Sequence, residues 1–298
     1  VISVAAQPTT RGELEAEAAA TLGSAREAHW IGEEAFLGAG VRTAIVSVAE
    51  RSRFAELVAR RRAGVPLQYV LGHWSFRTLD LVLDERVLIP RPETEVLVEV
   101  ALGELSSVAP SGSALVVDLG TGSGAIGLAI AAESIELCPA LDVRCCDASP
   151  GALEVATANQ AALAGRSPAA AAAVRFHRGD WWQALPQSLF GRVQLAVANP
   201  PYVSEEEWPD LDPVIRLYEP TEALVAATGT DGTPGLADVC SIIEGAPTWL
   251  AKPGVLVVEI APQQARAAAA CVTDAGADTV RVERDLAGRD RIIVARWR

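Results

Sequence analysis

The sequence predicts an α/β protein: a mostly parallel sheet with helices on both faces, preceded by a small helical domain. Three observations predict this. From residue 114 onward, short apolar runs alternate with helix-length segments, the pattern of repeated strand–helix units. Residues 9–62 carry helical periodicity alone. The chain has 298 residues, enough for two domains at about 100–200 residues each, one of them with room for a full α/β core.

The elements follow in order. Thr10 is placed to cap a first helix that Gly23 closes, and Ser24 to cap a second, AREAHWIGEEAFLG. A third helix runs from about Val46 to Arg62, with Phe54, Leu57 and Val58 at helical spacing, and Gly64 and Pro66 end it. Trp74–Arg77 and Leu79–Leu83 are apolar-rich and flanked by turn formers, which reads as a hairpin. LIPRPETE (88–95) is stiffened by two prolines, and Glu93 or Thr94 is the expected start of the next helix. Strands are expected at 114–118, 141–147, 173–180, 193–199 and 254–260, and helices at 124–134, 149–164 and 236–251. SPAAAAA (167–173) is low-complexity and reads as a loop. The C-terminal stretch reads as two strands joined by a turn, which would make one edge strand antiparallel. The domain boundaries this gives are 1–66 (helical), 67–90 (hairpin linker) and 91–298 (the α/β domain).

Composition excludes several classes of function. With 25 Lys and Arg against 38 Asp and Glu, the net charge is −13, the wrong sign for stable nucleic-acid binding. Arg51, Arg53, Arg60, Arg61 and Arg62 fall on one predicted helix, and the simpler reading is a solvated helix face. Five cysteines without a C-x-x-C pair argue for reduced, buried thiols rather than disulfides. The three histidines lie at no zinc-ligand spacing, so no metal is expected. No apolar run is long enough to span a membrane, and the N-terminus lacks a secretion-signal pattern. A cytoplasmic monomer without a membrane partner is the expectation.

Asp118-Leu-Gly-Thr-Gly-Ser-Gly124 follows an apolar strand and opens a helix. Glycines permit a tight turn and close approach of a ligand, and a helix N-terminus offers free N–H groups. Asp147 lies twenty-three residues beyond Gly124, at the end of the next strand, where an acid can accept from ribose hydroxyls. Gly122, Gly124 and Gly127 also spell the dinucleotide fingerprint, so the loop alone leaves nicotinamide, flavin and S-adenosylmethionine open. Asp118 at the head of the loop favours the last, since it suits an ammonium and repels a pyrophosphate. The candidate cofactor contacts are Asp118, Gly120, Thr121, Gly122, Ser123, Gly124, Asp147, Asp180, Trp181 and Asn199. Asp180 is placed to accept from an adenine amino group. Trp181 either stacks on the base or joins Trp182 in the core.

Asn199-Pro200-Pro201-Tyr202 ends the fourth predicted strand of the sheet. Ligands of open α/β sheets sit beyond the carboxyl ends of strands, so this motif and the glycine loop should share one crevice. Alone, the motif reads as a rigid turn; in this setting it fits methyl transfer to an amide nitrogen. Such a nitrogen is a poor nucleophile because its lone pair is delocalised. Two fixed acceptors for its N–H groups let it pyramidalise toward the methyl. The Asn199 side-chain oxygen and the Pro200 carbonyl are the candidates, with proline locking the backbone direction. Tyr202 is expected to pack against the planar group.

At this point the chain resembles the HemK/PrmC-type protein-(glutamine-N5) methyltransferases over almost its whole length. GVPLQYVLGHWSF (64–76), LIPRPETE (88–95), DLGTGSGAIGLA (118–129), NPPY (199–202), EP..AL (219–224), PGVLVVEI (253–260) and DLAGRDRIIVA (285–295) are similar to family blocks in family order. The resemblance implies a helical N-terminal domain, a hairpin linker and a class I (Rossmann-like) S-adenosylmethionine-dependent methyltransferase domain with a seven-stranded, mostly parallel sheet. It implies methylation of the glutamine in the Gly-Gly-Gln loop of class I peptide chain release factors. Gly120 to Gly124 would contact the methionine end of S-adenosyl-L-methionine, Asp147 the ribose and Trp181 the adenine. Asn199, Pro200, Pro201 and Tyr202 would hold the target glutamine, and Arg91 and Glu93 would lie near its entrance. The alternatives are adenine-N6 methylation of nucleic acid, which shares the NPPY motif, glutamine methylation of a ribosomal protein, and a nicotinamide oxidoreductase. Two stretches depart from the family pattern, GTDGTPGLAD (229–238) and EIAPQQ (259–264), and both are expected to lie outside the site.

Overall fold

Reciprocal capping fixes where the first helices begin. The structure is a computed structural model that describes residues 10–36, 41–109 and 112–298. At the start of α1 (Arg11–Leu22) the Thr10 hydroxyl accepts from the Glu13 N–H at 3.3 Å while Glu13 Oε2 accepts from the Thr10 N–H at 2.8 Å. Gly23, at a φ of 70°, closes the helix. Ser24 caps α2 (Ala25–Ala35), and Ser47 with Glu50 repeats the capping box at α3 (Val48–Arg62). Leu37 and Gly38, expected as the tail of α2, lie outside the described residues. α4 (Leu67–Leu71) falls in the expected linker span, yet its Leu67 and Val70 join Ile31, Leu57 and the stacked pair Phe36–Phe54 in one buried cluster.

The chain divides into two compact units, one ending at Trp74 and the other starting at Ser75. The boundary falls within the first strand of a two-stranded hairpin, β1 (His73–Phe76) and β2 (Leu79–Val82). Beyond it, α5 (Pro92–Val108) starts ahead of the expected Glu93 or Thr94. Pro92 takes the first helical position, where its fixed φ is pre-set and its missing N–H costs nothing, and the Arg91 side chain makes no capping hydrogen bond.

The second unit then alternates as expected: β3 (Ser113–Leu119), α6 (Ala125–Ser134), β4 (Ala140–Asp147), α7 (Pro150–Arg166), α8 (Pro168–Ala173), β5 (Val174–Arg178), β6 (Val193–Ala198), α9 (Pro213–Tyr218), α10 (Ala237–Trp249), β7 (Leu250–Glu259), α11 (Ala265–Asp274), β8 (Thr279–Arg284) and β9 (Asp290–Trp297). The alanine run expected as a loop is the helix α8. Alanine has the best helix propensity, and Pro168 opens the helix at its first position.

The seven strands are ordered β5-β4-β3-β6-β7-β9-β8. Among the described strands of this sheet, β9 runs antiparallel to both its neighbours, β7 and β8, and so opposite in direction to the other six. It is not an edge strand, contrary to expectation: it inserts between β7 and β8. Its apolar run Ile292–Ala295 is buried, which suits an interior strand, whereas β8 alternates charge and is largely exposed, which suits the edge. α10 and α11 cover one sheet face through Leu119, Ala198, Val258 and Ile293. α5 packs on β6 and β7. Each large aliphatic side chain removed from water here contributes about 1.5–3 kcal/mol.

The order places the site. From β3 the chain winds outward to β4 and β5, then returns to β6 on the other side of β3. β3 and β6 are parallel neighbours, with Leu119 opposite Ala198. The loops leaving them therefore start side by side at a topological switch point.

Candidate active site

A cavity of about 360 Å³ opens at that switch point, large enough for a small-molecule ligand. The 120–123 loop after β3, Asp147 after β4, Asp180 and Trp181 after β5, and Asn199 and Pro201 after β6 all line it. The glycine loop and the Asn-Pro-Pro-Tyr motif thus share one crevice.

The loop is pinned from beneath. The Gly120 and Thr121 N–H groups both donate to the Cys146 carbonyl at 2.9 Å. Asp118 is fully buried and lies below the loop rather than on the cavity wall. Its Oδ2 accepts from the Thr121 hydroxyl at 2.5 Å and from the Gly127 N–H at 3.0 Å, so it braces the start of α6. Burial pushes this carboxyl up to about 6. Gly124, at a φ of 82°, is likewise off the wall and turns the chain into α6. Asp147 reaches across the loop: Oδ2 accepts from the Gly122 N–H at 2.8 Å and Oδ1 from the Ser149 N–H at 2.9 Å. Each oxygen keeps a further lone pair for a ligand.

The two adjacent tryptophans separate. Trp182 is core, stacked on Trp249 with its Nε1–H given to the Ile242 carbonyl at 2.8 Å. Trp181 lines the cavity at a strained φ of 40°, and its Nε1–H donates to Asp238 Oδ1 at 3.3 Å. Asp238 belongs to the 229–238 stretch expected to stay clear of the site. In fact Asp238 lines the cavity, Gly235 abuts the Tyr202 carbonyl, and Gln264 of the second departing stretch donates to that carbonyl at 3.1 Å. Both stretches shape the site.

Four acids on the wall, Asp147, Asp180, Glu222 and Asp238, face one base, Arg86. Arg86 is itself paired with Asp84 at 2.6 Å and Glu154 at 2.7 Å. The cavity is therefore anionic, which suits a cationic ligand and opposes a pyrophosphate. Burial raises the carboxyls of Asp147 and Asp238 above their ordinary value.

Asn199 donates from Nδ2 to the Thr94 hydroxyl at 3.2 Å, and that hydroxyl donates to Glu259 Oε2 at 2.8 Å. With its nitrogen turned away to Thr94, Asn199 has its carbonyl oxygen left for a ligand. Pro200 and Tyr202 do not line the cavity. The Tyr202 ring lies under the Arg291 guanidinium, 5.7 Å from its centroid, and burial pushes the phenol up to about 12.

Sequence reasoning did not single out Thr94 as a partner of Asn199, nor Glu219 and Asn159. Glu219 is buried and ties the 88–95 segment down through the Ile89 N–H at 3.1 Å and Arg91 at 2.6 Å. Glu93 pairs with Arg289 at 2.7 Å. Arg91 and Glu93 are thus both held in ion pairs.

A family model described as "Methyltransferase small domain" matches residues 98–216, and one described as "PrmC N-terminal domain" matches residues 41–72. A release factor glutamine methyltransferase of Bordetella pertussis is 40% identical over 247 residues, covering 83% of this chain and 83% of its own length. One from Nitratidesulfovibrio vulgaris is 40% identical over 255 residues, 85% of this chain and 79% of its own. This chain belongs to the release factor glutamine methyltransferase family. A solved protein-(glutamine-N5) methyltransferase (release factor-specific) from Alicyclobacillus acidocaldarius is 28% identical, covers 70% of this chain and 93% of that one, and has a TM-score of 0.39; the sequence relatives carry the assignment. As a member of this methyltransferase family, the chain uses a methyl donor. Three of the α3 arginines are engaged within the protein rather than offered to a polyanion: Arg61 pairs with Glu27 at 2.6 Å, Arg53 with Glu34, and Arg60 donates to the Tyr69 carbonyl at 3.1 Å.

Proposed function

We propose that this chain transfers a methyl group from S-adenosylmethionine to the side-chain amide nitrogen, N5, of the glutamine in the Gly-Gly-Gln loop of class I peptide chain release factors. The observation that carries this reading is the Asn199 carboxamide on the wall of an anionic cavity, with its nitrogen engaged by Thr94 and its oxygen left as an acceptor.

The residues present fit the donor. Its ammonium and sulfonium suit four wall carboxylates against one compensated arginine. Beyond Gly122 nothing lies within 4 Å of where a Cβ would be, so the backbone there is open to the amino-acid end. Asp147 would accept from the ribose hydroxyls, and Asp180 and Trp181 would bound the adenine. The bound group supplies an electrophilic methyl on sulfur.

The chain's own part is positioning and electrostatics. Asn199 Oδ1 would accept one N–H of the target carboxamide, and the Pro200 carbonyl, although Pro200 does not itself line the cavity, is the proposed acceptor of the other. The nitrogen would be held with its lone pair toward the methyl, and the positive charge that develops on it would meet the Asn199 oxygen; transfer breaks the sulfur–methyl bond, and the nitrogen then gives up one N–H proton. Thr121, Gly120 and Asp118 keep the opposite wall rigid. Tyr202 anchors the motif through its carbonyl, which accepts from Gln264 and abuts Gly235.

The test is direct. Purified protein with methyl-labelled S-adenosylmethionine is expected to label a class I release factor, and replacing the Gly-Gly-Gln glutamine by alanine is expected to abolish the label. Labelling of naked nucleic acid or of ribosomal protein, with the release factor unlabelled, would sink the reading.

A further inference from the structure

We propose that Glu259, acting through Thr94, is a positioning residue that sets which end of the Asn199 carboxamide faces the cavity. The inference rests on the reading of Asn199 as the acceptor for the substrate nitrogen, and it deepens that reading.

Hydrogen counting fixes the orientation of the carboxamide. Thr94 has one hydroxyl hydrogen, and its Oγ1 lies 2.8 Å from Glu259 Oε2 and 3.2 Å from Asn199 Nδ2. A carboxylate is acceptor-only, so an ionised Glu259 takes the Thr94 hydrogen. Thr94 then has only lone pairs left for Asn199, which must turn its NH₂ group inward and its oxygen outward. A protonated Glu259 can donate to Thr94 instead. The Thr94 hydrogen is then free for the Asn199 oxygen, and the amide can rotate to show its NH₂ to the cavity. A carboxamide substrate nitrogen would then meet a donor rather than an acceptor, and the catalytic alignment would be lost.

Glu259 is placed to be sensitive. It is 1% exposed, and its second oxygen, Oε1, has no hydrogen-bond partner among the described residues. The charged and titratable groups that face it are Glu93 from α5, Arg291 from β9 and Tyr202 from the loop after β6. Arg291 is engaged elsewhere: its Nη1 donates to the Ile260 carbonyl at 3.1 Å and its Nε lies 3.9 Å from Asp285. Burial, only partly offset by Thr94, Arg291 and Tyr202, pushes the Glu259 carboxyl up to about 7. Its ionisation therefore falls near neutral pH.

The chain has two asparagines, Asn159 and Asn199, which makes the test clean. Selective ¹⁵N labelling of asparagine gives two side-chain NH₂ signals; Asn199→Ala removes one and so assigns both. On titration from about pH 8.5 to about pH 5.5, the Asn199 signals of the wild type are expected to shift and those of Asn159 to stay. In Glu259→Gln the Asn199 shift is expected to vanish. In methylation kinetics, Glu259→Gln and Thr94→Val are expected to lower kcat about tenfold, with KM for donor and release factor within about threefold. The acid limb of the wild-type kcat profile is expected to disappear in Glu259→Gln, while Thr94→Ser, which keeps the hydroxyl, behaves as wild type. Asn199 signals that do not titrate in the wild type, or that titrate unchanged in Glu259→Gln, would overturn the proposal. If the wild type fails to methylate release factor, the function falls, while the labelled signals still decide the relay. If Glu259→Gln does not fold, the Thr94→Val and Thr94→Ser pair decides it: equal kcat values would overturn it.

Discussion

Trp181 occupies the space that any side chain at Gly120 would need: a Cβ at position 120 would lie 2.8 Å from Cζ3 of the indole. Gly120 also sits at a φ of 73°. Gly120→Ala therefore meets both a left-handed backbone cost of about 1–2 kcal/mol and a collision with the Trp181 indole on the cavity wall. The expected outcome is donor affinity weakened by about tenfold or more in calorimetry. Trp181→Ala alone removes the collision partner, so the two changes are expected to combine non-additively, with Gly120→Ala costing less in the Trp181→Ala background. Strict additivity would mean that the contact does not matter.

Asn199→Ala separates catalysis from donor binding. Under the proposed function the side chain serves the substrate nitrogen, while the donor would rest mainly on the 120–123 loop and Asp147. Removing a preorganised acceptor of developing charge is expected to lower kcat about 10²–10³-fold. Donor affinity is expected to stay within about threefold. Donor binding that falls in parallel with kcat would assign Asn199 to the cofactor instead.

What the sequence makes legible has a common physical character: it is local. Capping boxes at Thr10 and Ser47, the strand–helix alternation from β3 onward, and a glycine loop between a strand and a helix all depend on residues a few positions apart. Asn199 and the 120–123 loop share a crevice because strand order follows from general topological rules. What escapes is long-range. Thr94 and Glu259 meet across α5 and β7, Asn159 and Val82 across the hairpin, and Glu219 and Arg91 across half the unit. No periodicity announces such pairs. Nor does composition tell a helix from a loop in the alanine run of α8, where low complexity suggests irregularity and propensity favours helix. The interior place of β9 depends on which strand buries its apolar run more fully, a tertiary preference that the turn before it does not encode.

Asn159 ties the hairpin to the glycine loop. It is 3% exposed; its Oδ1 accepts from the Val82 N–H at 2.7 Å, and its Nδ2 donates to the carbonyls of Val82 at 3.1 Å and Ser123 at 2.8 Å. Asn159→Ala leaves those backbone groups without their partner, and about 2–4 kcal/mol of stability is expected to be lost in urea unfolding. Asn159→Asp is the sharper test. It keeps the shape but sets a carboxylate oxygen against two carbonyls, so it is expected to destabilise more than alanine does. An aspartate variant as stable as wild type would show that the amide donor is not needed.

The buried Asp118 gives a pH signature whose sign can be worked out. Its carboxyl is raised from 3.8 to about 6 in the folded protein, so the folded state binds this proton more tightly than the unfolded chain does. The associated stabilisation is present below about pH 4 and is lost as pH rises through about 6. A shift of this size corresponds to roughly 3 kcal/mol. Asp118→Asn can still accept from Thr121 and Gly127 but does not ionise, so it escapes this loss. The variant is therefore expected to gain on the wild type, by about 2 kcal/mol, when unfolding is compared at about pH 7.5 and about pH 4.5. Glu259, raised to about 7 by burial, adds a slope of the same sign to both proteins and so cancels in the comparison. Parallel stability curves for the two proteins would show that Asp118 carries the same charge on both sides of the unfolding transition.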